Sequence, residues 1–486
     1  MTVPRNPKIL IIGAGMSGIL VAMRLLKAGF TDFRIYEKGP DLGGTWRINT
    51  YPGIACDVPS HYYTYENEPN SDWSARLPQG AEIQKYLQSI ADKYDIRKYI
   101  SFNKEVVRCK HDGEEWTVKI ADGDTVVHDY VIACCGLLYH PTYPDIAGLD
   151  KFTGVAFHSA RWNHNVDLTD KRVGLIGNGS TAAQIISSLA KDNVDVTMFL
   201  RTPQWVFPLP DRKYSAAERT LTRWFPALAR FGHAFYRIAF ENLFAKAVIQ
   251  SGWQRELMGW ACRRNLKTVK DPALRARLTP DFEPLCKRLV MSTTYYDALQ
   301  QENVTIADGN IEKIDVNKVF TKGGETYELD VLIMATGYDA HAYFRPMNMT
   351  NAQGVSLDDT WKEGPYALRT VAAPGFPNFF FTLGPQSPIG NFSAISIVET
   401  QIDYIVDCIK MAQRYNFKTI DAKASATNAF NEMVYAAMPD TIWVTGCTNW
   451  YIGEKGIPSA WPFTGARFRK ELEKPDVKEY LTASQK

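Results

Sequence analysis

The stretch KILIIGAGMSGILVAMRLLKAGF opens on an unbroken apolar run, with no alternation of polar residues. That is the pattern of a parallel strand covered on both faces. A glycine-rich turn follows, then apolar residues at helical spacing, and FRIYEK supplies a second short strand ending in Glu37. KRVGLIGNGSTAAQIISSLA, followed by VDVTMFLRT, repeats the strand–turn–helix–strand order about 160 residues later. Two further apolar runs end at glycine, DYVIACCG at 129–136 and DVLIMATGYD at 330–339, and each reads as the last strand of its unit. The predicted fold class is α/β, with two Rossmann-like units. The first unit begins over 1–148, the second takes 149–212 and 283–340, and 341–486 returns to the first through GFPNFFFTLGPQSP. Residues 213–282 have helical periodicity rich in aromatic and basic residues, and they read as a helical subdomain inserted in the second unit. Burial of those aromatics against the rest of the protein is the expectation; a membrane-surface or partner role is the alternative.

The turns carry the first chemistry. Gly13, Gly15 and Gly18 form GxGxxG between a strand and a helix, with Glu37 24 residues after the first glycine. Such glycines permit a tight turn and close backbone approach to a pyrophosphate, which rests on the helix N-terminus, while the acid accepts from ribose hydroxyls. The second loop has Gly177, Gly179 and Ala182, with Arg201 at the same 24-residue offset. A carboxylate there repels a 2′-phosphate and a guanidinium binds one, so the pair of units suits FAD first and NADP(H) second. Ser180, Thr181, Thr202 and Lys287 join the second cofactor set. A solvated strand-end charge is the alternative for Arg201.

Composition excludes several classes. The 486 residues carry a formal net charge of +2, which offers no basic tail for nucleic acid. No apolar run is long enough to span a bilayer. The eight cysteines have no metal-ligand spacing, and Cys134 and Cys135 are adjacent rather than a CxxC pair, so neither a metal site nor a disulfide reductase is expected. Sparse, unpatterned cysteine fits a reducing, cytoplasmic setting.

Two longer motifs add a resemblance. GGTWRINTYPGIACD matches [A/G]GxWxxxxYPGxxxD through Gly44, Trp46, Tyr51, Pro52, Gly53 and Asp57, and FTGVAFHSARW matches FxGxxxHxxxW through Phe152, Gly154, His158 and Trp162. With the two glycine loops, the chain resembles the class B flavin monooxygenases, and within them the Baeyer–Villiger monooxygenases. The resemblance implies an FAD-containing enzyme that uses NADPH and O2 to convert ketones to esters or lactones through a flavin C4a-peroxide, with sulfide oxidation as a further activity. An N- or S-oxygenase of the same class is the alternative. It implies that Arg288 in PLCKRLVMSTTYY acts beside the flavin, that Asp57 orients it, and that Lys287 meets the 2′-phosphate. Gly44, Trp46 and Tyr51 would border the flavin. FTGVAFHSARW would be a joint between the units, with a turn at Gly154 and His158 linking NADP position to domain movement. Asn163 and Leu289 depart from the family pattern. IWVTGCTNWYIGEKGIPSAWP is closer to the branch that contains hydroxyacetophenone monooxygenase.

Overall fold

The computed structural model describes residues 6–390, 392–447, 452 and 459–484. Part of IWVTGCTNWYIGEKGIPSAWP therefore lies outside the described residues. The first apolar runs assemble as their patterning requires. Ile9–Ile12 is buried throughout and pairs in parallel with Phe33–Tyr36 on one side and Tyr130–Ala133 on the other. Ile100–Ser101 extends one edge and Phe379–Phe381 the other, giving a five-stranded parallel sheet. Tyr130–Ala133 is thus an inner strand, paired on both edges, and all four of its residues are buried because both faces of the sheet are covered. The chain supplies that neighbour only after it returns, at Phe379–Phe381.

The second sheet is also parallel and five-stranded. Its order is Val304–Asp308, Asp195–Leu200, Arg172–Ile176, Val331–Met334 and Val155–His158. Val331–Met334 is again internal, and the edge belongs to a segment that precedes the glycine loop in sequence. FTGVAFHSARW is accordingly more than a joint, because its centre is a strand in register with Val331–Met334. Gly154 has no left-handed backbone there. A Cβ would lie 2.4 Å from the Asp330 carbonyl oxygen and 2.7 Å from the Phe152 ring, so close packing at the bend requires the glycine. Phe157 and Trp162 meet edge to face at 5.1 Å, which fastens the far end.

A smaller sheet of Val106–His111, Trp116–Ile120, Thr125–His128 and Asn348–Thr350 packs beside the first unit. The 21-residue helix Ala394–Arg414 lies against Met16–Lys27, the helix after the first glycine loop, and Arg24 pairs with Asp403 at 2.6 Å. No helix among the described residues is long and apolar enough to cross a membrane.

Two expectations need correction. In the inserted segment, Ala229, His233 and Phe240 turn inward, yet Leu221, Trp224, Phe225, Leu228, Phe231, Phe235, Ile238, Trp253, Leu257 and Trp260 are exposed. Helical periodicity shows that a face is apolar, but burial also needs a surface opposite it. The second concerns cysteine: Cys286 and Cys447, 161 residues apart, form a disulfide. Local spacing carries no signal for a pair brought together by the chain's return.

Candidate active site

The site begins where each sheet meets its glycine loop. At Gly18 a Cβ would lie 1.9 Å from the Gly13 carbonyl oxygen, so only hydrogen lets the helix close on the strand end. Gly15, Met16 and Ser17 then line a cavity of about 510 Å³. At Gly177 the backbone is left-handed, φ +121°, and a Cβ would sit 2.3 Å from the Ala335 carbonyl oxygen. Past that turn, Gly179, Ser180 and Thr181 open the helix Ser180–Lys191 onto the same cavity.

Glu37 ends the Phe33–Tyr36 strand and is buried at the cavity wall. Its two carboxylate oxygens accept from the Ala14 N–H at 2.8 Å and the Gly39 N–H at 2.7 Å. Each oxygen keeps a lone pair, so the group is oriented by the loop and still able to accept from a diol. Gly44, Trp46, Tyr51 and Asp57 line the cavity from the segment at 43–57. Trp46 is held by its indole N–H, which donates to the Tyr63 hydroxyl at 3.3 Å, and the two rings meet edge to face.

This segment also joins the two units. The Tyr51 hydroxyl donates to Gln184 Oε1 at 3.0 Å, and Gln184 Nε2 donates to the Ala55 carbonyl at 2.9 Å. Gln184 is therefore a clasp between the Ser180–Lys191 helix and 43–57 rather than one more polar position on a helix face. Burial pushes the Tyr51 phenol up, so it remains a neutral donor across the working pH range.

The cation comes from a distant stretch of chain. Arg288 Nη2 lies 2.6 Å from Asp57 Oδ2, with the two side chains 33% and 17% exposed, and both residues line the cavity. Half-burial matters here: a charge-assisted hydrogen bond is stronger where water is scarce, and the carboxylate limits the rotamers open to the guanidinium. Three cysteines also line this cavity, Cys56, Cys134 and Cys135. Burial pushes all three thiols up, Cys135 to about 12, so none is poised as a thiolate.

The other sequence candidates lie outside the lining. Gly18 and Gly177 shape it from beneath. Arg201 follows the Asp195–Leu200 strand and is exposed. Lys287 is held down from the usual ammonium range by burial, with Asp281 opposing and Arg201 adding to the effect, so these two cations share one neighbourhood. Thr202 is next to Arg201, and its carbonyl accepts from Asn178 Nδ2 in the glycine loop. His158 is 1% exposed at the end of its strand. Its Nδ1 accepts from the Ala160 N–H at 3.1 Å, Tyr143 and Tyr338 flank the ring, and burial lowers its basicity. Tyr338, which sequence reasoning passed over, lines the cavity and donates to Asn49 Oδ1 at 2.5 Å. The available signal was its place directly after the glycine that ends DVLIMATG.

Two parallel sheets, each ending in a glycine loop on one shared cavity, describe an oxidoreductase built for two dinucleotides. The family follows from comparison: the model for flavin-binding monooxygenase-like proteins matches residues 6–353, and the chain belongs to that family. It is 46% identical to an uncharacterized monooxygenase of Mycobacterium tuberculosis over 98% of this chain and 96% of that protein. A Baeyer–Villiger monooxygenase of Streptomyces coelicolor is 37% identical over 98% of this chain and 93% of its own length. A crystal structure of OTEMO in complex with FAD and NADP superposes with a TM-score of 0.88 at 27% identity, covering 99% of this chain and 100% of that one.

Proposed function

We propose that the protein is an FAD-containing, NADPH- and O2-dependent Baeyer–Villiger monooxygenase that converts ketones to esters or lactones and also oxidises sulfides. The observation that carries this reading is the Arg288–Asp57 pair, a guanidinium held at 2.6 Å from a carboxylate on the wall of a cavity that both glycine loops line. Insertion of oxygen beside a carbonyl builds negative charge on the substrate oxygen, and a preorganised cation in a water-poor site stabilises it. Relatives support the reading, since curated proteins named Baeyer–Villiger monooxygenase align over nearly the whole chain.

The residues present fit both cofactors. Gly18 lets the first helix close on its loop, and Glu37 keeps lone pairs for a ribose. Arg201 and Lys287 place two cations together for a 2′-phosphate. FAD, when bound, supplies the redox chemistry that activates O2, and NADPH supplies the hydride. In this reading, Gly13, Gly15, Gly44, Trp46 and Tyr51 enclose the flavin, and Gly179, Ser180, Thr181 and Thr202 receive NADP. Residues 1–148 with 341–486 form the FAD domain, 149–212 with 283–340 the NADP domain, and 213–282 help enclose the substrate. Asp57 orients Arg288 without entering the chemistry. His158 sits in the edge strand that pairs with Val331–Met334, well placed to pass a shift of NADP to the second sheet. The setting proposed is the cytoplasm, where the Cys286–Cys447 bond is an exception to the usual reduced state of thiols.

The test is aerobic incubation of the purified yellow protein with NADPH and a panel of linear, cyclic and aryl ketones, sulfides and amines, with products read by mass spectrometry. Esters or lactones carrying one oxygen atom from O2 are the expected products. If sulfides or amines alone gain oxygen, the ketone assignment fails and the protein is an N- or S-oxygenase.

A further inference from the structure

The inserted helices present an apolar surface that the cavity does not use. In the helix Pro226–Ala239, Leu228, Phe231, Phe235 and Ile238 fall at i, i+3, i+7 and i+10, one continuous stripe, and all four face solvent. Phe231 is 72% exposed, and Trp224, at the end of the preceding helix, is 73% exposed. The opposite side of the same helix holds Ala229 and His233, which are buried. The helix Trp253–Leu266 repeats the arrangement: Trp253, Leu257 and Trp260 are exposed, while Met258, Cys262 and Leu266 point into the core. Isolated exposed apolar residues are ordinary, but stripes dominated by Phe and Trp mark a contact surface.

The charge of the segment selects the partner. Residues 216–270 contain ten Arg or Lys against three Glu, whereas the whole chain carries a formal net charge of +2, so the remainder is net acidic. Two of the three Glu are engaged: Glu218 pairs with Arg212 and Glu241 with Arg469. Among the basic residues, Arg223 meets Asp72 and Arg237 meets Glu66, and Arg263 lies 4.0 Å from Glu283. Arg230, Arg264, Lys267 and Lys270 are exposed around the apolar stripes, and Arg264 lies over the Trp260 ring at 5.3 Å. The Leu228–Ile238 stripe carries no acidic residue, and the Trp253–Trp260 stripe has one at its margin, the exposed Glu256. Aromatic groups flanked by Arg and Lys are what a helix needs to lie in the headgroup layer of an anionic bilayer. No described helix is able to span one, so the contact is peripheral.

We propose that this face docks the protein onto an anionic lipid bilayer surface, with Trp224, Phe231, Phe235 and Trp253 entering the interface and the surrounding Arg and Lys meeting lipid phosphates. The experiment uses the full-length FAD-loaded protein and sedimentation with vesicles of phosphatidylcholine alone or mixed with phosphatidylglycerol. Binding to the mixed vesicles at low salt is expected, with weaker binding to phosphatidylcholine alone and progressive loss as salt is raised. Replacing Phe231 and Phe235 together by Ser removes two interfacial rings and should weaken vesicle binding by about tenfold or more. Arg230→Glu combined with Arg264→Glu should weaken binding to anionic vesicles by roughly tenfold or more, since each basic group near the surface is worth about fivefold. Both variants should keep the flavin content and melting temperature of the parent. Brominated lipids should quench the tryptophan fluorescence of the parent more than that of Trp224→Tyr. Absence of vesicle binding by the parent overturns the proposal. So does a parent dimer that Phe231→Ser converts to monomers without any change in lipid binding, because the face then belongs to a second copy of the chain.

Discussion

Replacing Arg288 by Ala separates the two halves of the proposed cycle. The guanidinium is 2.6 Å from Asp57 and one-third exposed, so it is a fixed but partly hydrated cation. Removing one preorganised charge-stabilising group from an enzyme site costs roughly 2.7–4 kcal/mol, or about 10² to 10³ in rate. Partial exposure places the expectation at the lower end, about a hundredfold. Flavin reduction by NADPH builds no charge on a substrate oxygen and should fall much less than ester formation. The assay has two arms: anaerobic stopped-flow reduction of the flavin by NADPH, and ester formation under air by gas chromatography with mass detection. Asp57→Ala should reproduce the ester defect more mildly, because the cation stays but loses its orienting partner. The double variant should lose less than the two single losses combined, since residues in direct contact couple by about 0.5–3 kcal/mol. Ester formation at the parent rate in Arg288→Ala, with normal flavin reduction, would remove Arg288 from the mechanism. An equal fall in both arms would make its role structural.

Thiol titration of the denatured protein should find six reactive cysteines without reductant and eight after reduction, because Cys286 and Cys447 are bonded; eight in both cases refutes the pairing. Glu399 offers a pH test. Burial, with Glu66 and Asp403 nearby, raises its carboxyl to about 7 despite Arg24 at 3.7 Å. The folded state therefore binds a proton more tightly than the unfolded chain. Stability should fall as pH rises from about 4.5 to about 7, by at most about 3 kcal/mol from this group, and be level on either side. Glu399→Gln keeps an acceptor for the Glu66 N–H and should flatten that slope in denaturant melts; an unchanged slope would clear Glu399 of the effect.

What sequence alone determined lies within about 25 residues of itself. The fit of Gly18 against Gly13 and the acid or arginine 24 residues after each first glycine follow from short-range sterics and one strand–helix–strand unit, which neighbouring residues specify. Apolar runs without alternation announced the buried parallel strands, and the helical stretch at 213–282 was legible from its period. The pairing of Arg288 with Asp57 entered only through the family resemblance, because no local rule links residues 231 positions apart. The same holds for the Tyr51–Gln184 clasp, the Cys286–Cys447 bond and the placement of Val155–His158 and Phe379–Phe381 as sheet edges. Each depends on where the chain returns after a long excursion. The exposed aromatic face makes the same distinction at a surface. Periodicity announces an apolar stripe on a helix, and only the tertiary structure decides whether protein lies opposite it.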